Sequence, residues 1–226
     1  MTELVPPPPD ANNLPEISDG DVKRVSALLG RIYRTQGPFP SRWDEFRSFG
    51  PTNGRFDPHP LPQGFHETCT VFYASIHVTG GSETSPPLLE TCVAEAFQDG
   101  RVIELSRGNP WFTVIQVTRP VELLDLDGSS WITRAGGNAA ISSGSRQRSR
   151  EWAQAIHRRF GNRIDGLLYP SAVLPMSLNV ALWSGAASAF PAHPMLNRPL
   201  NDPAFRADLE QHAIDIGYDL VLQSSD

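Results

Sequence analysis

Apolar positions along the chain repeat with a period of two in some stretches and of three to four in others, and the sharpest change lies between Thr70 and Phe97. Thr70–Ile76 is rich in β-branched and aromatic residues, which suit a half-buried pleated surface, so a strand is predicted there. Gly80 and Gly81 break it. Ser85 is placed to cap a helix, and Pro86 and Pro87 suit a first turn whose N–H groups lack partners anyway. From Leu88 the apolar residues fall at 88, 89, 92, 93, 96 and 97, a single helical stripe. Glu90 and Glu95 flank that stripe. A carboxylate at the rim of a buried face can reach into a cleft, but a solvated glutamate sits there too, and periodicity does not choose between the two.

The rest of the chain yields further elements. Asp21–Leu29 is expected as a short helix and Arg31–Arg34 as a strand. Arg101–Leu105, Phe112–Thr118 and Pro120–Leu126 read as strands, and Ser130–Ala140 as a helix. Gln147–Phe160 is a further helix with Gly161 in the stop position. Ile164–Tyr169 reads as a buried strand, and Met176–Trp183 is another apolar stretch. Asp202 can cap a last helix, Pro203–Ile216, stopped by Gly217 before a strand at Tyr218–Leu222. Strands outnumber helices and seldom alternate with them. The expected class is α+β, mostly antiparallel sheets with flanking helices.

Length and composition narrow the choice. The 226 residues are 39% hydrophobic and 19% charged, with no long apolar run, so neither a transmembrane span nor a secretory signal is expected. Residues 1–19, with Pro6–Pro9, read as a flexible proline-rich tail, whether disordered or strapped across the domain; residues 20–226 read as one domain. Two cysteines, Cys69 and Cys92, are too few for a disulfide framework and fit a cytoplasmic chain in which both are small buried hydrophobes. A formal net charge of −6 argues against a nucleic-acid surface. Arginines at 146, 148, 150, 158 and 159 make one basic stretch, read as a solvated helix face, with attraction of an anion as the minor alternative.

Several chemistries lack their signature: there is no GxxxxGK[ST], no GxGxxG opening a helix, no GxSxG around Ser171, no HExxH and no CxxC. No metal site is expected. The loop GPFPSRWDEFRSFGPTNGRFDPHP carries Phe39, Trp43, Phe46, Phe49 and Phe56, too many aromatics for a disordered segment, and is expected to pack and to shape a pocket. Within it, Gly54 allows close backbone approach while Phe56 anchors the turn that presents Arg55. A plain surface arginine is the alternative there.

What remains are arginines, a tyrosine, a glutamate and a serine on separate loops and element ends. Their order resembles the RES domain: Tyr33-Arg34, Gly54-Arg55-Phe56, Phe72-Tyr73-Ala74-Ser75, Ala94-Glu95, and Gly166-Leu167-Leu168-Tyr169-Pro170-Ser171 followed by Asn179. The resemblance spans roughly residues 30–190. It implies an ADP-ribosyltransferase-like fold and a toxin of a toxin–antitoxin pair that takes NAD as substrate and degrades it by hydrolysis or phosphorolysis, or transfers its ADP-ribose. The implied partner is an antitoxin, commonly with an Xre-type DNA-binding domain; direct nucleic-acid binding and membrane association are not implied, and a homodimer is left open. By position, Arg34 and Arg55 match the family arginines, Glu95 its glutamate, Ser171 its serine, and Tyr73 a tyrosine near the nicotinamide end. The sequence departs from the pattern in GRF for the commoner GRW, in a long insertion between Tyr73 and Glu95, and in its proline-rich start.

The residue types suit that chemistry. Cleaving the nicotinamide–ribose bond develops oxocarbenium character, which a carboxylate against the ribose, here Glu95, would stabilise. Arg34 and Arg55 would clamp the pyrophosphate, Tyr73 would stack on nicotinamide, and Ser171 would hydrogen-bond the substrate. Asn179 is equally suited to touching ligand or tying down the loop after Ser171, and Trp183 reads as core. Nicotinamide is a good leaving group, so no poised histidine is required. Two other classes stay open: modification of a protein side chain at the same site, and a non-catalytic module that docks a partner.

Overall fold

The computed structural model describes residues 4–78 and 85–222. The chain begins with β1 (Val22–Val25) and β2 (Ala27–Arg34), continues through the short β3 (Phe49–Gly50) and β4 (Gly64–Phe65), and enters β5 (Val71–Val78). Helix α1 (Leu88–Ala96) precedes β6 (Val102–Glu104), β7 (Pro110–Gln116) and β8 (Val121–Asp125). A single turn, α2 (Trp131–Arg134), and the long α3 (Arg146–Phe160) come next. Strands β9 (Gly166–Pro170), β10 (Leu178–Trp183) and β11 (Leu196–Pro199), helix α4 (Arg206–Ile216) and β12 (Asp219–Val221) complete the order. None of the described helices is long and apolar enough to cross a membrane.

Eight of the described strands form one sheet in the order β1-β8-β9-β10-β5-β2-β7-β11, antiparallel except for β8 and β9. The α+β class with a mostly antiparallel sheet is therefore borne out. The feature that matters for the site is a fork in this sheet. β2 pairs with β5 from Ala27–Val78 only as far as Gly30–Ser75. Beyond that point β2 continues along β7 to Arg34–Pro110, while β5 continues along β10 to Val71–Trp183. The sheet thus divides into two arms.

Helices α1 and α3 cover the same face. Gly30 is what lets α1 sit on the strand: a Cβ there would lie 2.6 Å from Leu88 Cγ and 2.8 Å from Cys92 Sγ. On the other arm Trp152, Ile156 and Phe160 of α3 bury against Leu167, Ala181 and Trp183. The opposite face is packed by Phe46 and Phe190 on Phe72.

Three sequence expectations are corrected. Asp21–Leu29 is not a helix: Ser18 caps a 3-10 turn through Asp21, and the chain then runs straight into β1 and β2. Ala27 and Leu29 are both fully buried on one face, a period of two that places them in a strand. Ser85 does not cap α1; Pro87 holds the N-cap position without a side-chain bond. Gly80 and Gly81 lie outside the described residues. The expected helix Ser130–Ala140 is cut by Gly136, whose φ of +85° is left-handed, so α2 ends at Arg134 and a 3-10 turn follows at Ala139–Ser142.

The sequence leaves the proline-rich start open between disorder and a strap across the domain. From Leu4 onward the proline-rich segment is a strap packed across α2 and α3. Val5 and Leu14 are buried in the same cluster as Trp131 and Trp152. Trp152 Nε1 donates to Pro6 O at 2.9 Å and Trp131 Nε1 to Pro15 O at 3.1 Å, while Glu16 pairs with Arg159 and Arg163. Extended proline backbone keeps its carbonyls free to accept such bonds.

Candidate active site

The fork opens a cleft of about 370 Å³ on the face that carries α1 and α3. One arm contributes Gly30, Arg31 and Ile32, and the other Tyr73, Ser75, Tyr169 and Asn179. Asn53, Gly54 and Arg55 close one side, and Glu95, Gln98 and Arg146 line it from α1 and α3. Side chains on paired strands share a face in register, which is why Ser75, opposite Asn179, and Tyr169, also opposite Asn179, converge here.

Glu95 is held from three sides. Its Oε1 accepts from Ser171 Oγ at 2.6 Å and from Asn179 Nδ2 at 2.6 Å, and its Oε2 accepts from Gln98 Nε2 at 3.2 Å. Asn179 is itself fixed, since its Oδ1 accepts from Ser75 Oγ at 3.0 Å. Ser171 Oγ in turn accepts from the N–H groups of Val173 and Leu174 at 3.2 and 3.0 Å, tying the loop after β9 to the carboxylate. Donors arranged in this way fix a carboxylate in place. Glu90 goes elsewhere. Its Oε2 lies 3.1 Å from His212 Nδ1 on α4, and with Asp215 these groups bring ligand-type atoms within 4.8 Å of one another, away from the cleft.

Arg55 reaches Gly144 O at 2.6 Å and Ser149 Oγ at 3.4 Å through Nη1. Burial, and then the positive charge of Arg146, lower its pKa from the ordinary guanidinium value. The turn that carries it is anchored by Asp57, a fully buried carboxylate that accepts from Arg47 Nη2 at 2.8 Å, from Thr52 N at 2.7 Å and from the His59 ring. Burial alone would raise the Asp57 pKa; the bonds from His59, Arg47 and Thr52 outweigh it and hold the carboxyl well below the usual range. Phe56 is fully buried against Tyr169, 4.4 Å between centroids, as an anchor should be. Gly54 serves a closer neighbour than a ligand: a Cβ there would meet Tyr73 Oη at 2.6 Å.

Burial keeps both phenols of the cleft protonated, Tyr73 and Tyr169. Tyr73 Oη is buried against Gly54, close to the Arg47–Asp57 pair behind the turn. The thiols of Cys92 and Cys69 are pushed up by burial to about 12 and about 11, which leaves both unreactive at neutral pH.

Of the residues singled out from the sequence, Glu95, Arg55, Tyr73, Ser171 and Asn179 come together. Arg34 stands apart from the lining, exposed at the end of β2 with its guanidinium 5.9 Å from the Phe97 ring. Arg31, between Gly30 and Ile32 on β2, turns its side chain to the opposite face of the sheet: it stacks on Phe72 at 4.5 Å and donates to Glu45 O, and burial lowers its pKa to about 10. Gln98 was not singled out, and Ser75 and Tyr169 were named only within motifs, with no role given. Gln98 follows Glu95 by three residues, a helical spacing that could have flagged it, and Arg146 was absorbed into a basic stretch.

The model of the family described as "RES domain" matches residues 29–209. No curated protein matches at a significant level. Among solved structures, a chain in the crystal structure of the M. tuberculosis MbcT–MbcA toxin–antitoxin complex is similar over 84% of this chain and 92% of that chain, with 15% sequence identity and a TM-score of 0.54. At that identity the likeness shows the fold. The family match takes in both arms of the fork, α1, α3 and every side chain that holds Glu95, and on that match the chain belongs to the RES domain family.

Proposed function

We propose that this chain is the toxin of a toxin–antitoxin pair and that its cleft binds NAD and breaks the nicotinamide–ribose bond. The observation that carries the reading is the carboxylate of Glu95, held by Ser171 and Asn179 in a cleft whose other wall presents Arg55 and Arg146. A fixed negative charge beside a polar cleft suits a reaction centre that becomes positive, and guanidinium groups suit a pyrophosphate. Tyr73 offers a flat ring between the two ends.

In this scheme the Arg55 side chain takes the pyrophosphate and Tyr73 packs on nicotinamide. Glu95 faces the ribose and stabilises the oxocarbenium-like centre as the C–N bond lengthens; the bonding pair leaves with nicotinamide. Ser171 and Asn179 act through Glu95, keeping its oxygens from swinging to solvent. Water or phosphate then attacks the sugar. The antitoxin expected beside it is of Xre type, and action in the cytoplasm follows from NAD as the target.

The test is nicotinamide release on mixing the purified chain with NAD, together with cellular NAD and growth when the chain is expressed alone and with its partner. Release of nicotinamide and a fall in NAD that the partner reverses support the reading. Growth arrest with unchanged NAD, or a labelled protein product, moves the case to modification of a protein target. No nicotinamide release at all rejects it.

A further inference from the structure

Arg146, the first residue of α3, lines the cleft beside Arg55. Two guanidinium groups facing one cavity repel each other, and an anion between them turns that repulsion into binding. Arg146 is held on its other side. Its Nη2 donates to Gln98 Oε1 at 3.0 Å and to Asp99 Oδ1 at 3.2 Å. The Asp99 side chain is 84% exposed, so water screens that pair and an incoming anion competes for it readily.

Gln98 stands between the cation and the carboxylate. Its Nε2 donates to Glu95 O at 2.9 Å and to Glu95 Oε2 at 3.2 Å, while its Oε1 accepts from Arg146. The partners set the orientation of this amide. Turned over, it would face its N–H groups to the arginine and its oxygen to the carboxylate, and both contacts would be lost. Arg146, Gln98 and Glu95 therefore form one chain of donors and acceptors from the basic wall of the cleft to its acid.

We propose that Arg146 anchors the phosphate-bearing part of the substrate and that Gln98 is the positioning residue that couples that anchor to Glu95. The inference rests on reading the cleft as one that cleaves NAD. An anion drawn against Arg146 holds the guanidinium in the cleft, the guanidinium fixes the Gln98 amide, and the amide keeps Glu95 Oε2 in place. Cleavage then depends on the part of the substrate that carries no reacting bond. A nicotinamide nucleoside without phosphate should be cleaved poorly, because nothing fills the anion position.

The experiment compares NAD with nicotinamide riboside on the unmodified chain, on Gln98→Leu, on Arg146→Gln and on the double variant, with thermal melts confirming the fold. Arg146→Gln is expected chiefly to raise KM for NAD. Gln98→Leu is expected chiefly to lower kcat with KM within a few-fold. Each should cut the preference for NAD over the riboside by roughly tenfold, and the double variant should fall short of the product of the two single losses, as residues in one network do. A purely structural role for Gln98 would lower both substrates alike. An unchanged preference in either single variant, or losses that multiply independently, overturns the coupling while leaving the cleft's assignment intact. No nicotinamide release by the unmodified chain overturns that assignment and the coupling with it.

Discussion

Ser171 on the loop after β9 donates its hydroxyl hydrogen to Glu95 Oε1 on α1 at 2.6 Å, joining positions 76 residues apart. The same oxygen accepts from Asn179. Two donors on one oxygen leave the second oxygen to Gln98 and to whatever enters the cleft.

That arrangement makes Glu95 separable from Glu90 by experiment. Glu95→Gln keeps shape and part of the bonding but removes the charge, so nicotinamide release at saturating NAD should fall by about two to four powers of ten with NAD affinity little changed. Glu90→Gln, which loosens only the contact with His212 on α4, should stay within a few-fold. Equal turnover in Glu95→Gln and the unmodified chain would reject the assignment.

Ser171→Ala tests the support. Glu95 keeps Asn179, but the N–H groups of Val173 and Leu174 lose their acceptor and the loop is released. Turnover should drop by roughly tenfold to a hundredfold, less than for Glu95→Gln, as removal of one of several positioning donors does. A loss as deep as that of Glu95→Gln would mean that Ser171 touches the reacting atoms itself.

Arg55→Ala should act on binding. A clamp on the pyrophosphate engages substrate and transition state alike, so KM should rise far more than kcat falls, and lysine should restore only part because it lacks the planar fork. Titration with ADP-ribose by calorimetry checks this without turnover. Unaltered affinity beside collapsed turnover would remove Arg55 from the clamp.

Asp57→Asn should change how stability depends on acid. The folded carboxyl lies below its ordinary value of about 4, so its stabilisation is complete above that pH and is lost as acidification protonates the folded form. The variant should be less stable at pH 7 by on the order of 3 kcal/mol and should lose less on going to pH 3. Urea denaturation at the two pH values measures both. Parallel losses in the two proteins would contradict the account of the Arg55 turn.

Removing residues 1–14 should destabilise the domain. Val5 and Leu14 leave the core, and Trp152 loses its carbonyl partner at Pro6. At about 1.5–3 kcal/mol for each fully buried side chain, the loss is about 3–6 kcal/mol as an upper bound. A thermal melt that does not move would show that the strap contributes nothing.

Local pattern was enough to locate most of the elements. The stripe from Leu88 to Phe97 and the β-branched run from Val71 to Ile76 are visible in sequence because burial of one face repeats at a fixed period. The order of short motifs was enough to single out Glu95, Arg55, Tyr73, Ser171 and Asn179, since each lies on or beside an element whose position is locally set. Pattern failed where context overrode it. Val22–Leu29 mixes charged and apolar residues with a spacing that suits either period, and only the pairing of β1 with β8 and of β2 with β5 and β7 makes it strands. The proline-rich start looks unstructured until two tryptophans more than a hundred residues away offer it N–H groups. The fork and the Arg146–Gln98–Glu95 chain belong to the tertiary structure alone. They depend on the register at which β2 leaves β5 and on the end of α1 meeting the start of α3, and no window of neighbouring residues contains either relation.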